Sequence, residues 1–159
     1  SPSLIRIDAD ELTYNLHILI RYELEKGLFN GEIQVSQLPE AWNEKYREYL
    51  GVVPKHDGEG VLQDVHWSGG SFGYFPSYAL GNLYAAQIMH AMEKAMPNLK
   101  SLVENGEFAQ PVQWLTDHIY RYGKLKDPGD IIREATGEDL NPDYFIRYIE
   151  SKFRDIYDF

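Results

Sequence analysis

The sequence predicts an all-α fold, mainly helical, with one short extended segment near 61–67. Three observations predict it. Apolar residues repeat at the helical period through several stretches. Proline and glycine stand where helices would open and close. Only Val61-Leu62-Gln63-Asp64-Val65-His66-Trp67 reads as extended. The first helix is expected from about Asp8 or Asp10 to Phe29, with Leu12, Leu16, Leu19, Leu24 and Leu28 as its apolar stripe. Acidic residues crowd its start, where the helix dipole favours them, and Gly31 follows its end. A second stripe, Asp10, Tyr14, His17 and Arg21, shares one face through i+3 and i+4 spacing.

Pro39 fits the first turn of a second helix bearing Trp42, Tyr46, Tyr49 and Leu50, with Gly51 placed to stop it. Residues 51–60 read as a turn-rich loop around Pro54 and Asp57-Gly58. Ser68-Gly69-Gly70-Ser71-Phe72-Gly73 is a glycine-rich loop, and a long helix is expected from Pro76 to just before Pro97. Shorter helices follow: Pro97 to Glu104, ended by Asn105-Gly106, and Pro111 to Tyr122, stopped by Gly123. Asp127-Pro128 and Asn141-Pro142 each give an N-cap followed by Pro at the first helical position. The final helix would put Phe145, Tyr148, Ile149, Phe153 and Ile156 on one face. With no repeat and no linker legible, the expectation is one helical unit over 1–159.

Composition narrows the function. Fifteen Lys and Arg against 25 Asp and Glu give a formal net charge of −10, and no basic cluster offsets it. Such a chain is a poor generic partner for nucleic acid or anionic membrane, both polyanions. Cysteine is absent, which excludes disulfides, thiolate zinc sites and cysteine nucleophiles. No apolar run reaches the length of a membrane span, and Asp8, Asp10 and Glu11 interrupt any leader-like opening. A cytoplasmic location is expected. The histidines, His17, His56, His66, His90 and His118, contain no pair three or four apart, so no metal site is expected within this chain.

Two groupings carry candidate chemistry. In an extended segment Asp64 and His66 would project to the same side. That spacing suits either a hydrogen-bonded structural pair or a carboxylate charging an imidazole. Tyr14, His17 and Arg21 suit either a polar seam between helices or one wall of a site. The glycine-rich loop lacks both phosphate-binding patterns and reads as a turn needing positive φ or close backbone approach.

Ile5-Arg6-Ile7-Asp8-Ala9-Asp10 resembles the Ile-Arg-x-x-Ala/Ser-Asp motif of the carboxypeptidase Taq family of zinc metallocarboxypeptidases. Gly60-Val61-Leu62-Gln63-Asp64-Val65-His66-Trp67 is similar to that family's Gly-x-x-Gln-Asp-x-His-Trp motif at every fixed position. The flanking text after each motif is also similar, and the resemblance covers nearly the whole chain. It corresponds to about the last third of a full-length member.

The resemblance implies a C-terminal part of a neurolysin- or angiotensin-converting-enzyme-like gluzincin fold, with the N-terminal metal-bearing part absent. It implies a peptidase that releases single residues from peptide or protein C-termini, typically as a homodimer. Zinc or another divalent metal would belong to the full-length enzyme, held by His-Glu-x-x-His and a later Glu that lie upstream of the matched part. Arg6 would then grip the substrate carboxylate, with Arg21 and Gln63 as further substrate-binding candidates. His66 would stabilise the transition state, with Asp64 orienting its ring and keeping it protonated. Gln63 would hold the substrate main chain or fix the loop, and Tyr74 or Tyr78 would offer a phenol donor. The isolated chain is expected to be inactive. The rival reading is a stand-alone, non-catalytic helical module that binds a protein or peptide. A subunit meeting a separately encoded metal-bearing half is the third.

Overall fold

The computed structural model describes residues 2–157. Among them every regular element is helical, as expected, and no strand is formed. The chain clusters into two compact units, Ser1–Leu80 and Gly81–Phe159. The boundary falls inside a helix rather than in a linker, so composition carries no mark of it.

In the first unit a 3₁₀ turn at Arg6–Asp8 precedes α1 (Tyr14–Phe29) and α2 (Leu38–Leu50). Helix α1 starts later than the expected Asp8 or Asp10. Asp10 Oδ1 instead accepts from the backbone N–H of Thr13 at 2.8 Å and from its hydroxyl at 2.9 Å, a local turn that competes with helix. Helix α2 ends as expected at Gly51, whose φ of 69° favours a residue without Cβ.

The apolar stripe expected on α1 is only partly the inward one. Leu12 and Leu19 are 43% and 37% exposed, whereas Ile20, Leu24, His17 and Arg21 are buried. The polar stripe therefore turns inward at His17 and Arg21, where α2 and the following loop supply partners, while Asp10 stays exposed. The core of this unit is Ile20 and Leu24 from α1 with Trp42, Tyr46 and Leu50 from α2. Trp42 and Tyr46 stack with ring centroids 5.0 Å apart.

The expected extended segment is a correction: residues 61–67 form turns and bends on either side of Asp64, with no strand. Backbone bonds such as Leu62 N–H to Asp57 O and Gln63 N–H to Gly60 O curl the chain there, so the alternation assumed for a strand does not apply.

Helix α3 (Pro76–Ala95) has the expected bounds, and its residues 76–80 belong to the first unit. The second unit adds α4 (Leu99–Glu104), α5 (Ala109–His118), α6 (Pro128–Thr136) and α7 (Asp143–Tyr157). Helix α5 stops before the expected Tyr122, because Ile119 leaves the helical region and Tyr120–Tyr122 continues as a 3₁₀ turn. The small core here is Met92, Met96 and Leu99, with Ile88, Trp114 and Leu115 packed on it. The expected inward face of α7 holds no buried residue, and Tyr148 and Ile156 are 44% and 57% exposed.

Gln87 organises the second unit. It is buried; its Nε2 donates to Thr136 Oγ1 at 2.9 Å and to the Asp139 carbonyl at 3.1 Å. Its Oε1 accepts from the Asn141 N–H at 2.9 Å. One side chain thus pins the connection between α6 and α7 to α3. Gln87→Ala strands these groups and should lower stability by about 2 kcal/mol, read as a shifted urea midpoint with unchanged slope.

Candidate active site

The site is built within the first unit, where the Arg6–Asp8 turn, α1 and the loop before α3 meet. Asp64 is its hub. Asp64 Oδ1 accepts from Arg6 Nη2 at 2.7 Å and Arg6 Nε at 3.2 Å, and Oδ2 accepts from Arg21 Nε at 2.6 Å. Both arginines are buried. Burial pushes the Asp64 carboxyl up, but the two guanidinium groups outweigh it and hold the pKa below the usual carboxylate range. For Arg6, burial opposes the charge, while Asp64 and Tyr14 overcome this and raise the pKa. Two cations share one carboxylate, so this bonded trio carries a net positive charge that favours an incoming anion.

Arg21 is fully buried and each of its three side-chain nitrogens donates. Nη1 donates to the His17 carbonyl at 2.8 Å and to the Tyr46 hydroxyl at 3.3 Å, and Nη2 donates to Gln63 Oε1 at 2.9 Å. Its guanidinium also lies over the Trp42 ring at 4.6 Å. It therefore braces both Asp64 and Gln63. Gln63 is likewise occupied. Its Oε1 also accepts from the Arg6 N–H at 3.0 Å, and its Nε2 donates to the carbonyls of Leu4 at 3.1 Å and Glu59 at 2.9 Å. Of the two expected tasks for Gln63, fixing the loop is the one its contacts serve.

Arg6 keeps more freedom. Nη1 donates to the Tyr14 hydroxyl at 3.1 Å. Among the described residues, one N–H on each terminal nitrogen is left for a further acceptor. The guanidinium carbon lies 4.8 Å from the Tyr78 ring centroid, and the Tyr78 hydroxyl is 3.0 Å from His66 Nε2.

The expected orientation of His66 by Asp64 needs correcting. Their closest approach, Nδ1 to Oδ1, is 3.9 Å, too long for a hydrogen bond, and that oxygen already serves Arg6. Tyr78 and the Phe75 ring, 4.4 Å away between centroids, orient the imidazole instead. His66 Nδ1 is buried with no hydrogen-bond partner among the described residues. Tyr74 lies beside the pair, its ring 5.7 Å from His66 and half exposed.

Sequence reasoning missed Glu25, Tyr46 and Phe75. Glu25 had a signal, since it extends the Asp10–Tyr14–His17–Arg21 stripe by one more i+4 step. The Phe75 contact depends on loop closure, which no local pattern encodes.

His17 forms the back of the network. Its Nδ1 is 3.0 Å from the Tyr46 hydroxyl. An arginine only donates, so the Tyr46 oxygen accepts from Arg21 Nη1. Burial, then the charges of Arg21 and Arg6, lower the His17 pKa from 6.5 to about 4, against smaller opposing effects of Asp64 and Asp10. The unfolded chain binds this proton first. Stability should therefore fall as pH drops from about 6.5 to about 4, by roughly 3 kcal/mol in all. Urea unfolding across that window checks it, and His17→Asn should flatten the slope.

The solved structures place this architecture among metallocarboxypeptidases. The chain is similar to the M32 carboxypeptidase from Deinococcus radiodurans R1, with a TM-score of 0.97 and 40% identity over 100% of this chain and 32% of that one. It is also similar to metallocarboxypeptidase 1 of Trypanosoma cruzi, with a TM-score of 0.94 and 43% identity over 97% of this chain and 31% of that one. The chain belongs to the Carboxypeptidase Taq (M32) metallopeptidase family, matched over residues 1–153. Among curated relatives, carboxypeptidase 1 of Bacillus subtilis is 55% identical over 98% of this chain and 31% of its own length. Thermostable carboxypeptidase 1 of Thermus thermophilus is 49% identical over the same shares, 98% and 31%. The chain thus spans about a third of the length of the carboxypeptidases it matches.

A divalent metal is implied by the family for the full enzyme. No group of three or more His, Asp or Glu side chains able to hold a metal occurs among the described residues. No described helix is long and apolar enough to cross a membrane.

Proposed function

We propose that this chain forms one wall of a metallocarboxypeptidase groove. It supplies recognition of the substrate's terminal carboxylate and stabilisation of the transition state. The observation that carries this reading is convergence: the Arg6 guanidinium lies against the Tyr78 ring at 4.8 Å, and the hydroxyl of that tyrosine is bonded to His66. A guanidinium with unspent donors thus stands beside an imidazole–phenol pair. The first suits a free carboxylate, because its planar fork carries both charge and direction. The second suits an oxygen that gains negative charge as a peptide carbonyl becomes tetrahedral.

Because His66 Nε2 is already bonded to Tyr78, the two act as one donor unit. The phenol hydrogen is directed at the developing charge and the imidazole holds the phenol in place. Asp64 sets the position of Arg6, and Arg21 and Gln63 set the position of Asp64.

The substrates are peptide or protein C-termini, and the partners are the remainder of the same enzyme and a second copy in a homodimer. Two assays test the division of labour. The full-length enzyme containing this chain should release single residues from peptides with free C-termini. The 159-residue chain alone, supplied with zinc, should release none. Zinc-dependent release by the pure chain alone would overturn the reading.

A further inference from the structure

Glu25 is a buried carboxylate on α1 that plays no part in the recognition described above. Its two oxygens are spent on one loop. Oε2 accepts from the Trp67 indole N–H at 2.8 Å, and Oε1 accepts from the backbone N–H of Gly73. Trp67 precedes the glycine-rich stretch and Gly73 closes it, so a single side chain bolts both ends of the loop to α1. Gly73 sits at φ 70°, a conformation that leaves its N–H facing the carboxylate and that a side chain would resist.

What the staple holds is specific. His66 immediately precedes Trp67, and Tyr74 immediately follows Gly73. Trp67 packs edge-on against Trp42 at 6.2 Å and against Phe75 at 5.8 Å, and Phe75 is the ring that flanks His66. Fixing the two ends of residues 67–73 therefore fixes the origin of the imidazole on one side and of the tyrosines on the other. The loop has a few backbone bonds of its own, such as Ser71 N–H to the His66 carbonyl at 2.8 Å, and Glu25 adds the tie of both its ends to α1.

We infer that Glu25 is a positioning residue: by stapling Trp67 and Gly73 to α1 it holds His66 and Tyr78 in register for catalysis. The inference rests on the reading of His66 and Tyr78 given above. Glu25→Gln keeps the size but offers one acceptor where two donors converge. Its NH₂ group opposes one of the two N–H groups, so one end of the loop comes free.

The test uses the full-length enzyme containing this chain, with amide hydrogen exchange and kinetics measured on the same variant. Exchange at Gly73 should rise at least about tenfold in Glu25→Gln, and the Trp67 indole proton resonance should move. The kcat should fall about tenfold while KM for a short peptide changes less than about twofold. A merely structural role would move thermal stability without that split. Unchanged exchange at Gly73 overturns the staple, and altered exchange with unchanged kcat overturns its role in positioning. Should Glu25→Gln fail to fold, Glu25→Asp keeps the charge but shortens the reach, and carries the same two readouts. Failure of the underlying reading shows separately, as an unchanged kcat in His66→Ala.

Discussion

Asp64→Ala should destabilise the Ser1–Leu80 unit by about 3–5 kcal/mol, a large share of the stability of a unit this size. The expectation follows from what remains after the change. Arg6 and Arg21 lose the carboxylate that both share, and both guanidinium groups stay buried. Two like charges are then left in a site shielded from water, where repulsion and lost hydration act together. The damage spreads, because Gln63 bonds both Arg21 and the backbone of Arg6, so the loop loses its register with α1. Asp64→Asn should recover part of the loss, since an amide oxygen still accepts from one arginine, but the charge imbalance persists. Urea unfolding followed by far-UV circular dichroism measures both variants. A loss below about 1 kcal/mol in Asp64→Ala would mean that the arginines are not organised by this carboxylate.

The second large effect is catalytic. In the full-length enzyme His66→Ala should lower kcat by roughly 10²–10³ with little change in KM, the size expected when one donor to a developing oxyanion is lost. In the proposed reading the imidazole and the Tyr78 hydroxyl hold each other in place through a 3.0 Å bond. Without it the phenol turns freely and its hydrogen is no longer directed. Tyr78→Phe should produce a loss of the same order. The double variant should cost little more than either alone, because the two groups act as one unit. Fully multiplicative losses in the double variant would show that His66 and Tyr78 act independently.

The sequence made the helices legible because their boundaries are local chemistry. Pro39, Gly51 and Pro76 each act through their own backbone geometry, and α2 and α3 open or close accordingly. The start of α1 was less legible, since Asp10 can crown a helix or close a turn on Thr13, and only the structure decides. Residues 61–67 misled for a related reason. Val61 and Val65 suggest a strand, but a strand needs a neighbour to bond, and here the backbone bonds fold back on themselves.

The motifs single out Arg6, Gln63, Asp64 and His66; in the structure Arg6 bonds Asp64 and Gln63 and lies over Tyr78, which bonds His66. Their division of labour was harder to read. Arg21 suits either a polar seam between helices or one wall of a site, and the structure buries it fully. Its burial depends on Trp42 and Tyr46 from α2 and on Asp64 and Gln63 from a distant loop, and no periodicity within α1 contains that information. The two-unit organisation was equally silent, because α3 runs through the boundary.

The central claim is that Arg6 recognises a terminal carboxylate, and one ratio tests it. The measurement is kcat/KM for a peptide with a free C-terminus relative to the same peptide as its C-terminal amide, in the full-length enzyme. Arg6→Lys keeps the charge beside Asp64 but loses the fork, and so tests recognition with less risk to folding. A strong preference for the free acid is expected, shrinking at least about tenfold in Arg6→Lys. A preference that survives the substitution unchanged would contradict it, and would move carboxylate recognition to another residue.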